Sequence, residues 1–117
     1  MKVTVSWFSV NDLEGAKKFY GSVLGMKKTF EMQNWAEFGD GEGTASIGIA
    51  TNSPSGKEPG ATIVLRVEDI EKERKRLEGI GVKFEGKTEE IPGAVKLATF
   101  RDPSGNRLQL CQMLVSK

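Results

Sequence analysis

Apolar and polar positions alternate from Val3 to Val10 around an aromatic centre, Trp7-Phe8, and predict a strand. Asn11-Asp12 supplies an N-cap for a helix in which Leu13, Ala16, Phe19, Tyr20, Val23 and Leu24 recur at helical spacing, and Gly25 closes it. Strands are expected at Lys27–Gln33, Trp35–Phe38 and Ala45–Ala50, with Gly39-Asp40-Gly41-Glu42-Gly43 as the turn between the last two. Thr51 to Gly60 has no periodicity and is rich in breakers, so it reads as a linker. The pattern then restarts. Ala61–Val67 is a strand, and Asp69 caps a helix with Ile70, Leu77 and Ile80 on its apolar side. The charge run from Glu71 to Arg76 is the solvated face of that helix. Strands at Val82–Glu85, Val95–Phe100 and Arg107–Met113 follow, the last entered through the turn Asp102-Pro103-Ser104-Gly105-Asn106.

The order is therefore βαβββ, linker, βαβββ. Residues repeat along with the pattern: Val10-Asn11-Asp12-Leu13-Glu14 matches Val67-Glu68-Asp69-Ile70-Glu71, and Leu24-Gly25-Met26-Lys27 matches Ile80-Gly81-Val82-Lys83. Such a repeat implies pseudo-two-fold symmetry within one domain over 1–117, with modules at about 1–50 and 61–117 and a site between them.

Composition narrows the chemistry. Seventeen basic and sixteen acidic residues give a net charge of +1, which argues against a charge-driven nucleic-acid or membrane partner. No apolar run reaches the roughly 18–20 residues of a membrane span, and the first residues, Met1 to Val5, read as a strand with no signal-peptide core. The single cysteine, Cys111, cannot form an internal disulfide, so a cytoplasmic location is expected. The chain has no histidine, which removes histidine general bases, Ser-His triads and histidine-ligated zinc within one chain.

Taken in order, several motifs resemble the glyoxalase / bleomycin-resistance / extradiol dioxygenase superfamily, the vicinal oxygen chelate fold. They are Val10-Asn11-Asp12-Leu13-Glu14, Phe19-Tyr20 and Val23-Leu24-Gly25, then Val67-Glu68-Asp69-Ile70 and Asp102-Pro103-Ser104-Gly105-Asn106-Arg107-Leu108-Gln109-Leu110. The resemblance implies an α+β fold: two tandem βαβββ modules forming a curved mixed sheet around a pocket, with helices on the outer face. Metal enzymes of the family place one ligand on each of four strands. Carried over, those positions are Val5, Gly48, Thr62 and Gln109. Valine and glycine offer no donor side chain, and threonine and glutamine are weak neutral ones. No metal and no cofactor are therefore expected. Glu37, Asp40, Glu42 and Glu90 lack the spacing of an oxygen cage.

Alternation divides each strand into two faces. Phe8, Val10, Ile47, Ile49, Ile63, Leu65, Val67, Phe100, Leu108 and Leu110 form an apolar set expected beneath the helices. The opposite set is mixed, with Trp7, Trp35, Glu37, Ser46, Gly48, Thr62, Arg66, Thr99, Arg107, Gln109 and Cys111 among its members. Two tryptophans and an arginine on a mixed face suit a ligand pocket. The alternatives are an exposed sheet face or one covered by a second subunit. The residues expected to touch ligand are Trp7, Trp35, Thr62, Arg66, Gln109 and Cys111, with none assigned to catalysis. Tryptophan would stack on a planar ligand and Arg66 would clamp a carboxylate or phosphate. The expectation is a metal-free, cytoplasmic, homodimeric protein that sequesters an aromatic or anionic small molecule. Two rivals stand beside it: a lyase, isomerase or thiol transferase, with a displaced metal site or Glu37 as base, and a non-catalytic interaction module.

Overall fold

The computed structural model describes residues 1–41, 44–51 and 60–114. The chain divides into two compact units, residues 4–61 and residues 62–117 together with 1–3. The fold is α+β and each unit carries one βαβββ module. The first comprises β1 (Lys2–Ser9), α1 (Leu13–Lys18), a π-helical turn (Phe19–Val23), β2 (Lys27–Met32), β3 (Trp35–Gly39) and β4 (Ser46–Ala50). The second comprises β5 (Thr62–Arg66), α2 (Ile70–Gly79), β6 (Phe84–Ile91), β7 (Val95–Arg101) and β8 (Arg107–Met113). Except at β6, every strand starts and ends within one residue of the expected bounds.

Both modules use one topology. The strand order is β2-β3-β4-β1 in the first and β6-β7-β8-β5 in the second. The strand before the helix pairs in parallel with the last strand, β1 with β4 and β5 with β8, while the other pairs are antiparallel. The helix is the crossover that a parallel pair requires. Its start is fixed the same way twice: Asp12 accepts from the Gly15 amide at 3.0 Å and Asp69 from the Lys72 amide at 3.1 Å. Each aspartate satisfies an amide that has no partner inside its helix.

The helix-side cores follow the alternation. In the first module Ala36, Phe38 and Ile49 are buried, and Val10, Leu13, Ala16, Tyr20 and Met26 pack on them. In the second, Ile70, Leu77, Ala98, Phe100 and Leu110 form the core with Leu65, Val67, Val82, Phe84 and Leu108 around it. Ile70 and Leu110 are fully buried, and side chains of that kind each contribute about 1.5–3 kcal/mol.

Three local expectations are corrected. Phe19, Val23 and Leu24 are exposed rather than on the packed side. The π-helical turn, closed by Leu24 N–H on the Phe19 carbonyl at 2.9 Å, adds a residue to the last turn and shifts the phase of Val23 and Leu24. Phe19 opens that turn and, six residues beyond Leu13 at about 3.6 residues per turn, already lies roughly 120° from it around the helix. Ile80 is also exposed, because α2 ends at Gly79. The chain instead folds back through Gly81, at φ +101°, and the Val82 amide donates to the Leu77 carbonyl at 3.0 Å, so Val82 takes the core position. Finally, β6 runs from Phe84 to Ile91, not Val82 to Glu85. Its polar stretch Gly86–Glu90 carries no apolar alternation; pairing with β7, interrupted by a register shift between Glu85 and Glu89, makes it a strand. Most of the linker, 52–59, and the turn residues 42–43 lie outside the described residues.

The Asp102 turn sets where β8 begins. One Asp102 oxygen accepts the Ser104 and Asn106 amides, both at 2.9 Å, and the other accepts Asn106 Nδ2 at 2.9 Å. These donors hold the Asp102 carboxyl below its usual range, the Asn106 side chain most of all.

Candidate functional site

Each module carries its own polar-bearing sheet face, opposite the helix. In the first, β1 and β4 place Trp7 opposite Gly48, and β4 and β3 place Gly48 opposite Glu37. Trp35 lies one pleat along β3 on the same face. Trp7 is 5% exposed, and its ring meets that of Trp35 edge-on, with centroids 5.9 Å apart. Trp35 is half-buried and lies over Gly48: a Cβ on that glycine would sit 2.5 Å from Trp35 Cη2 and 3.0 Å from Trp7 Cβ. The absence of a side chain at Gly48 is what seats the indole.

The Trp35 indole N–H donates to one Glu37 carboxylate oxygen at 2.8 Å, and the Ser46 hydroxyl donates to the other at 3.1 Å. Glu37 is half-buried. Both donors are neutral, and among the described residues no cation pairs with this carboxylate. On β1, the Ser9 hydroxyl oxygen is buried and has no partner among the described residues.

The second module presents Thr62, Val64 and Arg66 on β5 beside Arg107, Gln109 and Cys111 on β8. Thr62 is fully buried and its hydroxyl accepts from Arg107 Nε at 2.6 Å. Gln109, buried, donates through Nε2 to the Thr99 hydroxyl on β7 at 3.2 Å. Cys111 is a buried thiol opposite Leu97 and Arg66, whereas Arg66 is exposed at the end of β5. Of the six residues expected to touch ligand, Trp7 and Trp35 are brought together in one module. Thr62, Arg66, Gln109 and Cys111 share a face in the other. Trp7 is a packed support for Trp35 rather than an open wall. The alternation that puts Gln109 and Cys111 on this face also puts Arg107 there, and Arg107 is the residue that engages Thr62. Glu37 with Ser46 is the corresponding polar pair of the first module.

The positions that hold metal in family enzymes do not fit one here. Val5 is buried and has no donor atom. The Gly48 side-chain direction is filled by the Trp35 ring. The Thr62 hydroxyl already faces a guanidinium, whose charge opposes a divalent cation. No cluster of three or more cysteine, aspartate or glutamate side chains that could hold a metal occurs among the described residues. A surface groove of about 390 Å³ runs elsewhere, between α2 and β6, lined by Glu71, Arg74, Lys75, Glu78, Lys87 and Thr88. Arg74 there is committed to Glu78, Thr88, the Gly86 carbonyl and the Phe84 ring.

A family profile described as the Glyoxalase/Bleomycin resistance protein/Dioxygenase superfamily matches residues 4–110. Among solved structures, methylmalonyl-CoA epimerase from Mycobacterium tuberculosis is similar at 21% identity and a TM-score of 0.77, over 97% of this chain and 89% of that one. An NAD-dependent benzaldehyde dehydrogenase from Legionella pneumophila gives 13% and 0.78, over 93% and 97%. A member of the same superfamily from Vibrio splendidus gives 16% and 0.66, over 92% and 96%. At these identities the likeness is one of fold. No curated protein matches the sequence.

Proposed function

The chain belongs to the glyoxalase/bleomycin resistance protein/dioxygenase superfamily, and on that premise we propose that it is a metal-free protein that binds a small molecule. One fold of this kind hosts many chemistries, so the reading rests on the residues rather than on the neighbours' activities. The observation that carries it is the indole of Trp35 seated over Gly48, where a metal ligand of the family would project. The hydrogen bond from Arg107 to Thr62 supports it at a second of the four positions. What remains is a set of aromatic and polar groups of the kind that orient an organic ligand. Trp35 offers a half-buried aromatic surface, and Arg66 an exposed guanidinium suited to a carboxylate or phosphate.

The test is the metal content of protein purified without chelator or nickel resin, measured by elemental mass spectrometry. No near-stoichiometric zinc, nickel, manganese or iron is expected; a stoichiometric signal overturns the metal-free reading. The same reading takes the protein as a cytoplasmic homodimer with no nucleic-acid partner. Light scattering behind size exclusion gives the dimer mass if this is right and the monomer mass of 12.8 kDa if it is wrong. No described helix is long and apolar enough to cross a membrane.

A further inference from the structure

We infer that the sheet face of the first module is a subsite for an organic cation, with Glu37 as counter-charge and Trp35, Phe30 and Met32 as its apolar walls. This rests on the small-molecule-binding reading and concerns residues 4–61 alone.

Glu37 supplies the charge of the subsite. Its carboxylate is half-buried and held at both oxygens by neutral donors, Trp35 and Ser46. Two hydrogen bonds leave about half of a carboxylate's lone-pair sites open. A partly buried anion is costly without a counter-charge, yet the nearby lysines do not supply one. Lys28 is opposite Phe38, on the helix side of the sheet, and it pairs there with Glu31, which also holds Lys17. Lys27, opposite Gly39, makes no ion pair among the described residues. The carboxylate is thus oriented, partly desolvated and open to an incoming positive charge.

The surroundings narrow the ligand further. A register shift between Lys28 and Phe30 turns Phe30 to lie opposite Glu37, and Met32 lies opposite Trp35. Phe30 and Met32 are each 48% exposed, although a polar residue would cost nothing at an edge position facing water. Three apolar side chains, two of them aromatic, therefore flank one fixed carboxylate. That combination recognises a cation with an apolar body: the charge meets Glu37 and the aromatic faces, and the body covers Phe30 and Met32. The Ser9 hydroxyl, which has no partner among the described residues, adds a further polar atom to this sheet face.

The experiment compares benzylamine, benzyl alcohol and benzoate, three soluble compounds of similar shape and different charge, at neutral pH and low salt. Binding is followed by amide chemical shifts and tryptophan emission. Benzylammonium should bind at least tenfold tighter than benzyl alcohol and shift the amides of β3 and β2. Glu37→Gln keeps the side-chain shape and should weaken benzylammonium about tenfold, the scale of one hydrogen bond to a charged group, while leaving benzyl alcohol unchanged. Phe30→Ser leaves Glu37 intact and should weaken amine and alcohol alike. The wild-type amine-to-alcohol ratio tests the charge preference even if Glu37→Gln does not fold. Equal binding of amine and alcohol, or a Glu37→Gln variant that binds the amine as wild type does, overturns the cation subsite. If benzoate or benzyl alcohol binds and the amine gains nothing, the small-molecule reading stands and this inference falls. If none of the three binds, both fall.

Discussion

Gly48→Ala tests the packing on which the site reading stands. The added methyl would sit 2.5 and 2.6 Å from two ring carbons of Trp35 and 3.0 Å from Trp7 Cβ. The ring carbons are at the end of a half-buried side chain and can swing away; Trp7 Cβ is fixed to the buried backbone of β1. Overpacking of this kind costs about 1–3 kcal/mol. An opposing term exists, because Gly48 does not have a positive φ, so alanine is allowed there and restricts the unfolded chain by about 0.4–1 kcal/mol. With each term at the middle of its range, the net is a loss of about 1.3 kcal/mol. With about 2.1 cal/mol/K of unfolding entropy per residue over 117 residues, this lowers Tm by about 5 °C. The chain has two tryptophans, and only Trp35 is free to move toward water, so emission should shift to the red in the same variant. In a Trp35→Leu background most of the penalty should vanish, since two of the three close atoms are gone. An unchanged Tm with unchanged emission would refute the seating of Trp35 over Gly48 and leave that position open to a ligand.

Two further outcomes follow from the same geometry. Thr62→Val keeps the shape but removes the hydroxyl that accepts from the buried Arg107 guanidinium. Denaturant unfolding should show a loss of about 1–3 kcal/mol, and a loss below about 0.5 kcal/mol would mean the bond contributes little. Glu31, held by Lys17 and then Lys28, has its carboxyl lowered from 4.5 to about 2. A carboxyl lowered on folding stabilises the protein above its unfolded pKa and loses that contribution as pH falls through the folded one. Tm of the wild type should therefore fall more steeply between pH 4.5 and pH 2 than that of Glu31→Gln, with the difference shrinking in 1 M salt because the pair is exposed. Parallel curves would contradict the ion-pair assignment.

The sequence alone determined the architecture, because the signals that build it are local. Hydrophobic period separated strands from helices, Asp12 and Asp69 announced the caps, and the Asp102 turn announced β8. The repeat of these signals was enough to state two βαβββ modules and to assign Ile49 and Leu110 to the helix side. Local signals failed where no local period exists. The polar stretch Gly86–Glu90 is a strand only because β7 pairs with it, and Val23 leaves the packed side because a π-helical turn shifts its phase.

Alternation also states which face a residue occupies, but not what it meets there. That Thr62 accepts from Arg107 depends on the parallel register of β5 with β8, across 45 positions of chain. That Glu37 lies between Trp35 and Ser46 depends on the register of β3 with β4, and that Phe30 joins them depends on a bulge in β2. Registers are properties of paired strands. The glycine at position 48 reads in sequence as a missing ligand; only the tertiary structure turns it into the seat of an indole, because the space above a glycine is claimed by whichever side chain the neighbouring strand brings to it.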